Sequence, residues 1–264
     1  MTINKFAVTM PDTLTHAQVM RYNRHIVLPQ FDLSGQETLY RSKVLIIGLG
    51  GLGTALSQSL CASGVGSLTL VDNDTVDAHN LPRQLLYTSQ HCGMKKVEAA
   101  KAQLNVINPD CHIEILDVRL VDEAMSALVA THDVVVDCTD NLESRIQINK
   151  ACWEGGKPLV SGAAIRFEGQ LFVSVPAKQT SCYGCVAHVF QMPELSCTEA
   201  GILSPVVSII GVAQAHLVLQ TLTDFGTLPA GQLQLFDGLT FQWQNFTVPR
   251  HPNCTVCQGS TSAL

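Results

Sequence analysis

A glycine-rich turn after an apolar run is the stretch of this chain best suited to bind phosphate groups. Residues 44–47 are apolar and largely β-branched, with the length of a buried parallel strand. Gly48, Gly50 and Gly53 follow with the G-x-G-x-x-G spacing, which allows a tight turn, close approach of a phosphate and close helix packing. Asp72 follows a second apolar run, where a carboxylate accepts hydrogen bonds from ribose hydroxyls. Taken alone, this pattern predicts a nucleotide site with NAD as the default ligand.

Two cations and a carboxylate further along the chain favour ATP. Arg83 and Lys96 are suited to neutralise a triphosphate of about four negative charges, which a nicotinamide cofactor does not require here. For either cation alone, a solvated surface charge is an equally good interpretation. Asp140 follows a buried strand and is predicted to face the same crevice, because parallel sheets bind nucleotides at the carboxyl ends of their strands. There it would bind Mg²⁺, or else cap the helix that begins near Leu142.

Four of the ten cysteines form two C-x-x-C pairs. Cys182 with Cys185, and Cys254 with Cys257, supply the four thiolates of a closed tetrahedral zinc site. We expect a structural Zn²⁺ that ties the C-terminal segment to the middle of the chain, because no coordination position remains open. Redox-active or inert thiols are the alternative. Cys197 stands in a polar stretch and is a candidate nucleophile or an unreactive loop thiol.

The elements that must position these residues alternate between strands and helices up to about residue 165. This alternation is typical of right-handed βαβ units and predicts a parallel sheet. Before the first strand, residues 14–42 form a predicted helical arm, with Thr15 and Ser34 as helix caps. The strands of the parallel part are predicted at residues 44–47, 68–71, 113–116, 132–137 and from 158 onward.

The alternation of strands and helices ends after residue 165. Beyond it, short segments typical of β-strands, in part with alternating apolar and polar residues, predict antiparallel strands. We therefore expect a Rossmann-like α/β fold whose mixed sheet has a parallel nucleotide-binding half and an antiparallel extension. Residues 1–264 are expected to form a single domain, since no linker or repeat interrupts them. Its parts are the helical arm at 1–42, the nucleotide-binding half at 43–165 and a second half at 166–264.

Composition narrows the class of protein. Hydrophobic residues make up 46% of the chain and charged residues 14%, with a formal net charge of −6. This charge argues against a nucleic-acid binder, which would need a basic face. Residues 206–222 are the most apolar, but they contain Gln214 and His216 and predict a buried or interfacial helix rather than a membrane span. Residues 1–13 lack the pattern of a signal peptide, so cytoplasmic residence is expected.

In this order and spacing, the motifs resemble the ThiF/MoeB/HesA family of the ubiquitin-activating-enzyme superfamily. The resemblance covers nearly the whole chain. Within the family, residues 161–170 most resemble the molybdopterin-synthase branch, and the thiamine-pathway branch is second. The residues that carry the resemblance are 21–24, 48–53, Asp72, 80–84, Lys96, 137–141, 161–165, 199–201 and both cysteine pairs.

The resemblance implies an activity and its partners. A member of this family adenylates the C-terminal Gly-Gly carboxylate of a ubiquitin-like sulfur-carrier protein with ATP and releases pyrophosphate. The expected carrier is of the molybdopterin type, with the thiamine type as the alternative, and residues 166–264 are the expected carrier-binding and zinc half. No sulfurtransferase domain follows Cys257 in this sequence, so the sulfur is expected from another source.

The resemblance also assigns residues to the site. Arg24, Arg83, Lys96 and Asp140 are implied to act on the triphosphate, and Asp140 to hold Mg²⁺. Arg24 would reach the neighbouring subunit's nucleotide, which implies a homodimer with two composite sites. The residues implied to bind the nucleotide are Gly48, Gly50, Gly51, Gly53, Asp72, Asn80, Arg83, Lys96, Asp140 and Asn141.

Two positions bear on differences within the family. Pro82 stands where a polar residue is usual, which would remove a hydrogen bond from the loop. Cys197 matches a cysteine that thiamine-pathway relatives use in acyl-persulfide chemistry and that is dispensable in the molybdopterin branch. Two other functions remain open from the sequence: an NAD-dependent oxidoreductase, and a zinc-stabilised scaffold that binds a carrier tail without turnover.

Overall fold

The computed structural model describes residues 13–190 and 201–258. The strands within these ranges are β1 Lys43–Ile47, β2 Ser67–Val71, β3 His112–Leu116, β4 Val134–Asp137, β5 Leu159–Ile165, β6 Glu168–Ser174, β7 Gln232–Asp237 and β8 Gln242–Thr247. They form a single sheet of order β3-β2-β1-β4-β5-β6-β7-β8. The first five strands pair in parallel, and β5 through β8 pair antiparallel. The predicted α/β fold with a mixed sheet is confirmed.

Helices cover both faces of the parallel part of the sheet. Alternate residues of β1 belong to different apolar clusters: Val44 and Ile46 pack on one face, and Leu45 and Ile47 on the other. Such two-sided burial explains why β1 reads as a continuous apolar run. The helices are α1 His16–Arg21, α2 Asn23–Ile26, α3 Asp32–Arg41, α4 Gly51–Ser63, α5 Lys96–Ile107, α6 Asp122–Ala130, α7 Leu142–Glu154, α8 Tyr183–Phe190 and α9 Ser204–Thr223.

Helix α9 is long and apolar enough to cross a membrane, by length and composition alone. Its packing accounts for that composition, because it lies against α4 and against strands β5 and β6. The fully buried Gln214 lies on α9, and its Nε2 donates a hydrogen bond to the carbonyl oxygen of Asp137 at 3.0 Å. Helix α9 is therefore a core helix that supports the carboxyl end of β4.

The two predicted caps of the helical arm have different outcomes. Thr15 caps α1, where its side chain and that of Gln18 form a capping box. The prediction for Ser34 is wrong, because α3 begins at Asp32 and Ser34 lies inside the helix. The Asp32 carboxylate accepts a hydrogen bond from the Ser34 amide at 2.6 Å, which supplies a local partner for one free N–H of the first turn.

Candidate functional site

Three neighbouring strands end at the same level of the sheet. Ile47 of β1 pairs with Val71 of β2 on one side and with Asp137 of β4 on the other. The chain leaves these ends at one edge, where the strand order reverses and where open α/β sheets bind ligands. The structure thus brings the glycine turn, Asp72 and the segment that carries Asp140 to one edge of the sheet, which we call the crevice.

Packing requires glycine at two positions of the turn. Gly48 has a φ of +96°, and a Cβ there would lie 2.7 Å from the Cys138 carbonyl oxygen. A Cβ on Gly53 would lie 2.0 Å from the Gly48 carbonyl oxygen, which is a prohibitive contact. These glycines let the turn fold tightly against the segment after β4 and against the first turn of α4.

Gly50 and Gly51 differ in what surrounds them. A Cβ on Gly50 would meet only one atom within 4 Å, Gln84 Nε2 at 3.9 Å, so this position opens onto free space. Gly51 faces α9 instead, and a Cβ there would lie 2.3 Å from Val207 Cγ1. Gly50 is the N-cap of α4, whose first N–H groups have no partner within the helix. An anion can therefore approach the helix N-terminus over Gly50.

The half-buried Asp72 holds the glycine turn from the neighbouring strand. Its Oδ2 accepts a hydrogen bond from the Leu49 amide at 2.7 Å, and its Oδ1 accepts one from the Asp74 amide at 2.8 Å. These bonds orient the carboxylate beside the turn. Asp72, the residue predicted to bind the ribose, therefore also fixes the backbone of the predicted phosphate-binding loop.

A connected polar group lies at the start of α4. Asn80 Oδ1 accepts hydrogen bonds from Arg83 Nη2 at 3.2 Å and from Gln84 Nε2 at 3.1 Å. Arg83 Nη1 also donates to the His79 carbonyl oxygen at 2.9 Å. Gln84 is buried, and its Oε1 finds no hydrogen-bond partner among the described residues. Sequence reasoning missed Gln84, although it ends the motif at 80–84.

Lys96 begins α5 as a buried cation. Its Nζ lies 2.9 Å from Asp74 Oδ2, and its own side chain is 7% exposed. The neighbouring Lys95 pairs with Asp117 at 3.1 Å and is far more exposed. The two lysines are equivalent in sequence, but only Lys96 carries a buried charge near the site, so the surface-charge interpretation does not hold for Lys96.

Tyr87 connects the two sides of the site and was also missed from the sequence. Its Oη lies 3.1 Å from the Leu49 carbonyl oxygen and 3.3 Å from the Lys96 carbonyl oxygen. Burial raises the pKa of the Tyr87 hydroxyl, so it stays protonated as a donor. The glycine turn and the start of α5 are thereby held together.

The two acidic residues after β4 have separate surroundings. The Asp137 carboxylate is buried and accepts hydrogen bonds from the Thr139 amide, the Thr139 hydroxyl and the Ser161 hydroxyl. Asp140 is exposed at the crevice. The proposed capping role of Asp140 is wrong, because Asn141 is the N-cap of α7 and accepts from the Ser144 amide at 2.9 Å. Asp140 is thus left available to a cation.

Arg24 does not join this group in the described chain. It is exposed on α2, and α2 packs against α1 and α3. The predicted role of Arg24 at a neighbouring subunit's site therefore stays a prediction. Cys197 and the predicted motif positions 199 and 200 lie outside the described residues.

The two C-x-x-C pairs converge on a second site, which we call the cysteine cluster: Cys182, Cys185, Cys254 and Cys257. All four are buried, and their sulfur atoms lie within 4.8 Å of one another. The Cys182–Cys254 and Cys185–Cys257 sulfur pairs are 3.6 and 3.5 Å apart. A tetrahedral zinc site with Zn–S bonds of about 2.3 Å puts its sulfur atoms roughly 3.8 Å apart. The donor set and spacing therefore fit a structural zinc ion.

Local electrostatics favour a thiolate in this cluster. A hydrogen bond from the Cys182 thiol lowers the pKa of the Cys185 thiol to about 4. The His251 amide also donates to Cys185 Sγ at 3.3 Å. Arg250 adds a contact from the C-terminal segment to α7, since its guanidinium lies 5.5 Å from the centre of the Trp153 ring. The segment after β8 is therefore held against α7 and α8 by both the cluster and its neighbours.

The sheet order and its ligand-binding edge place the chain among the Rossmann-like nucleotide-binding α/β proteins. Within that class the chain belongs to the ThiF family, whose sequence model matches residues 22–256. The family resemblance inferred from the motifs is confirmed.

Two curated relatives match almost the entire chain. A molybdopterin-synthase adenylyltransferase of Escherichia coli (strain K12) is 44% identical over 244 residues, which are 92% of this chain and 98% of the relative. A sulfur carrier protein ThiS adenylyltransferase of the same strain is 43% identical over 243 residues, or 92% of this chain and 96% of the relative. Overall identity alone does not separate these two kinds of relative.

The solved structures agree on the fold. The crystal structure of E. coli MccB with succinimide superposes with a TM-score of 0.77 at 23% identity. It covers 90% of this chain and 73% of the MccB chain. At that identity the likeness supports the architecture and nothing finer.

Proposed function

We propose that this chain is an adenylyltransferase that activates the C-terminal Gly-Gly carboxylate of a ubiquitin-like sulfur carrier in molybdenum-cofactor biosynthesis. A carboxylate oxygen attacks the α-phosphorus of ATP, and the bond from that phosphorus to the bridging oxygen breaks. The oxygen keeps the electron pair and leaves with pyrophosphate, so the product is an acyl-adenylate. The observation that carries the proposal is the 44% identity to a molybdopterin-synthase adenylyltransferase over 92% of the chain.

The chain's own residues supply positioning and charge. In the proposed mechanism, the backbone at Gly50 receives the phosphates and Asp72 accepts hydrogen bonds from the ribose. Arg83 and Lys96 neutralise charge that grows on the leaving pyrophosphate. Because these groups are already held by Asn80, Asp74 and the turn itself, little reorganisation is needed when ATP binds.

Asp140 is the proposed magnesium ligand. Mg²⁺ is commonly held by one or two carboxylates with phosphate oxygens, and when bound it reduces the charge repulsion between the phosphates and the attacking carboxylate. The exposed position of Asp140 at the crevice, free of a capping duty, supports this assignment. Asn141, which follows Asp140 on the same loop, is proposed to contact the nucleotide.

The reaction is tested by exchange of labelled pyrophosphate into ATP, with molybdopterin-type and thiamine-type carriers assayed side by side. We expect carrier-dependent exchange that Asp140→Ala abolishes. Glu143→Ala is the matched control, since Glu143 is an exposed carboxylate three residues away that pairs only with Arg119 among the described residues. Absence of exchange with every carrier would disprove the proposal. Faster exchange with the thiamine-type carrier would assign the chain to the alternative substrate.

A homodimer with composite sites is part of the proposal. A groove of about 210 Å³ between α4 and α9 contains Arg83 and the exposed apolar side chains of Leu85 and Val212. An open apolar groove next to a phosphate-binding arginine supports coverage by a second subunit. Arg24 of that subunit would then complete the site.

Subunit mixing tests the composite site. Arg24→Ala and Asp140→Ala should each be inactive alone. If each site takes Arg24 from one subunit and Asp140 from the other, the mixture regains about a quarter of the wild-type exchange rate, because half the dimers carry one intact site. No recovery after verified subunit exchange would place Arg24 in the same subunit's site or outside it.

The remaining alternatives have direct tests. An NAD-dependent oxidoreductase requires nicotinamide binding, so calorimetry that detects ATP but not NAD removes it. A scaffold without turnover would bind the carrier and show no nucleotide affinity. For Cys197, mass spectrometry after turnover with a sulfur donor distinguishes a covalent persulfide from an unreactive thiol. We also propose that the protein resides in the cytoplasm. In this proposal residues 1–264 form a single domain, and its second half, residues 166–264, binds the carrier and the zinc ion.

A further inference from the structure

A buried arginine lies between the cysteine cluster and the crevice. Arg145 of α7 is 9% exposed, and its guanidinium has partners on both sides. Nη1 donates to Tyr183 Oη at 3.3 Å, and Nη2 donates to the Thr139 carbonyl oxygen at 2.7 Å. Tyr183 follows directly after the cluster ligand Cys182, and Thr139 directly precedes Asp140. One side chain therefore contacts a residue adjacent to the cysteine cluster and a residue adjacent to the proposed magnesium ligand.

Tyr183 is fixed to α7 at both its backbone and its side chain. Its amide donates to Asn149 Oδ1 at 2.8 Å, while its hydroxyl accepts from Arg145. Arg145 and Asn149 are four residues apart and so share one face of α7. The first turn of α8, which carries Cys185, is thereby seated on that face. Any displacement of the cluster ligands would move the hydroxyl that holds Arg145.

The other end of Arg145 holds the β4–α7 loop, residues 138–141. The Thr139 carbonyl accepts from Arg145, and the Thr139 amide and hydroxyl donate to Asp137. Burial acts to lower the pKa of Arg145, but Asp137 and Tyr183 raise it above its ordinary value, so the guanidinium stays charged. Thr139 is thus fixed at its N–H, its hydroxyl and its carbonyl group, immediately before Asp140.

Stability alone is a weak explanation for this arrangement. Arg145 Nε is buried and has no hydrogen-bond partner among the described residues. Unsatisfied buried polar atoms are costly, and buried charge pairs are often replaceable by apolar side chains without loss of stability. A positional role accounts for a charged group that spans two sites.

We propose that Arg145 is a positioning residue that couples occupancy of the cysteine cluster to the geometry of the β4–α7 loop, and thereby to Asp140. The coupling runs from the cluster through Tyr183 to Arg145, and from Arg145 to the Thr139 carbonyl. Its effect on catalysis rests on the function proposed above, whereas its effect on the loop does not. The bound metal would then serve the nucleotide site as well as the fold.

The sharpest variant is Tyr183→Phe, which removes the hydroxyl and keeps the ring against Phe172. Val186→Ala is the matched control, because Val186 is fully buried on α8 next to a cluster ligand and makes no hydrogen bond to Arg145 through its side chain. Zinc content, hydrogen exchange of peptides covering 137–144, and kcat and KM for ATP are measured for both variants.

For Tyr183→Phe we expect unchanged zinc content, about ten-fold faster amide exchange in the β4–α7 loop, and about a ten-fold lower kcat. Val186→Ala should lower the melting temperature at least as much and leave loop exchange and kcat at wild-type values. Equal effects in both variants, or an unchanged loop in Tyr183→Phe, would overturn the coupling.

Metal removal tests the same link from the other end. Chelation of the wild-type protein should accelerate exchange in the β4–α7 loop, and chelation of Tyr183→Phe should add little, because the link is already broken. Arg145→Lys should behave like Tyr183→Phe, and combining the two should add little further. If chelation leaves amide hydrogen exchange in the β4–α7 loop unchanged, the coupling is refuted, even if the wild type adenylates its carrier. If the wild type adenylates no carrier, the exchange data still decide the coupling by themselves.

Discussion

The ammonium group of Lys96 lies 2.9 Å from the carboxylate of Asp74, with the lysine side chain 7% exposed and the aspartate side chain 66% exposed. A cation so deeply buried is costly unless a carboxylate pairs with it. Asp74 supplies that partner from the solvent side, where it is accessible to competing groups. A phosphate that enters the crevice would therefore meet a lysine ammonium group that is already held in place.

Lys96→Met should weaken ATP binding by about 2 kcal/mol, or roughly 30-fold, because it removes a charge-assisted hydrogen bond to phosphate. Lys95→Met is the control, since Lys95 carries the same charge one residue earlier and pairs with Asp117 at the surface. Isothermal titration calorimetry measures both affinities. Equal losses in the two variants would show that general electrostatic attraction, and not the buried position, matters.

Gly50→Ala should separate binding from folding. A Cβ at Gly50 meets nothing closer than 3.9 Å, so only the poorer N-cap preference of alanine should lower the free energy of unfolding without ligand, by about 1 kcal/mol or less. The methyl group would occupy the approach to the helix N-terminus, so ATP affinity should fall at least about ten-fold. Gly53→Ala should instead lower the free energy of unfolding by at least about 2 kcal/mol, because of its 2.0 Å contact with the Gly48 carbonyl. A large loss of stability in Gly50→Ala would contradict the first expectation.

Removal of one cluster thiolate should release the metal. Cys254→Ser should reduce zinc from about one per chain to a small fraction by elemental analysis, and lower the melting temperature by roughly 10 °C. Cys61→Ser is the comparison, since Cys61 is also buried and serine can keep its bond to the Leu104 carbonyl. A melting temperature that chelation leaves unchanged in the wild type would show that the cluster is not a structural metal site.

His132 should make stability depend on pH. Burial lowers the pKa of His132, whose ring bonds the Leu128 carbonyl and the Thr69 hydroxyl, each at 2.8 Å. As the pH falls, His132 is therefore protonated near pH 6.5 in the unfolded chain but only at a lower pH in the folded protein. Stability from this group is present above pH 6.5 and is lost as the pH falls, by up to about 1.4 kcal/mol per unit.

Urea unfolding at pH 7.5, 6.5 and 5.5 measures this dependence. His132→Gln should be less stable at pH 7.5 and show a shallower fall than the wild type. The control His16→Gln, at an exposed position on α1, should keep the wild-type slope. Identical slopes in all three proteins would exclude His132 as a source of acid sensitivity.

Much of the crevice could be predicted from the chain because its signals are local. The apolar run of β1, the spacing of Gly48, Gly50 and Gly53, and the position of Asp72 all lie within one βα unit and the next strand. Backbone geometry alone places such residues at the carboxyl edge of a parallel sheet. The assignment of the Asp140 segment failed in one detail, the helix cap, because Asp and Asn at neighbouring positions cap equally well and sequence does not choose between them.

Other features depended on side chains that meet only after folding. Gln84 lies beside Gly50, and Tyr87 bridges Leu49 and Lys96, without any periodicity that predicts these contacts. Arg145 and Tyr183 are 38 residues apart, on separate helices. Lys95 and Lys96 are the same residue type at neighbouring positions, and only the folded structure decides which of the two side chains is buried.

The sequence by itself therefore determined the nucleotide-binding edge, the family and the four cysteines, since each is encoded by residue type at fixed spacing. The tertiary structure decided which charges are buried, which carboxylate caps a helix and which stays available, and how the cysteine cluster connects to the crevice. The physical reason is that burial and hydrogen-bond partnership are properties of packed surfaces, and packing joins segments that no local pattern relates.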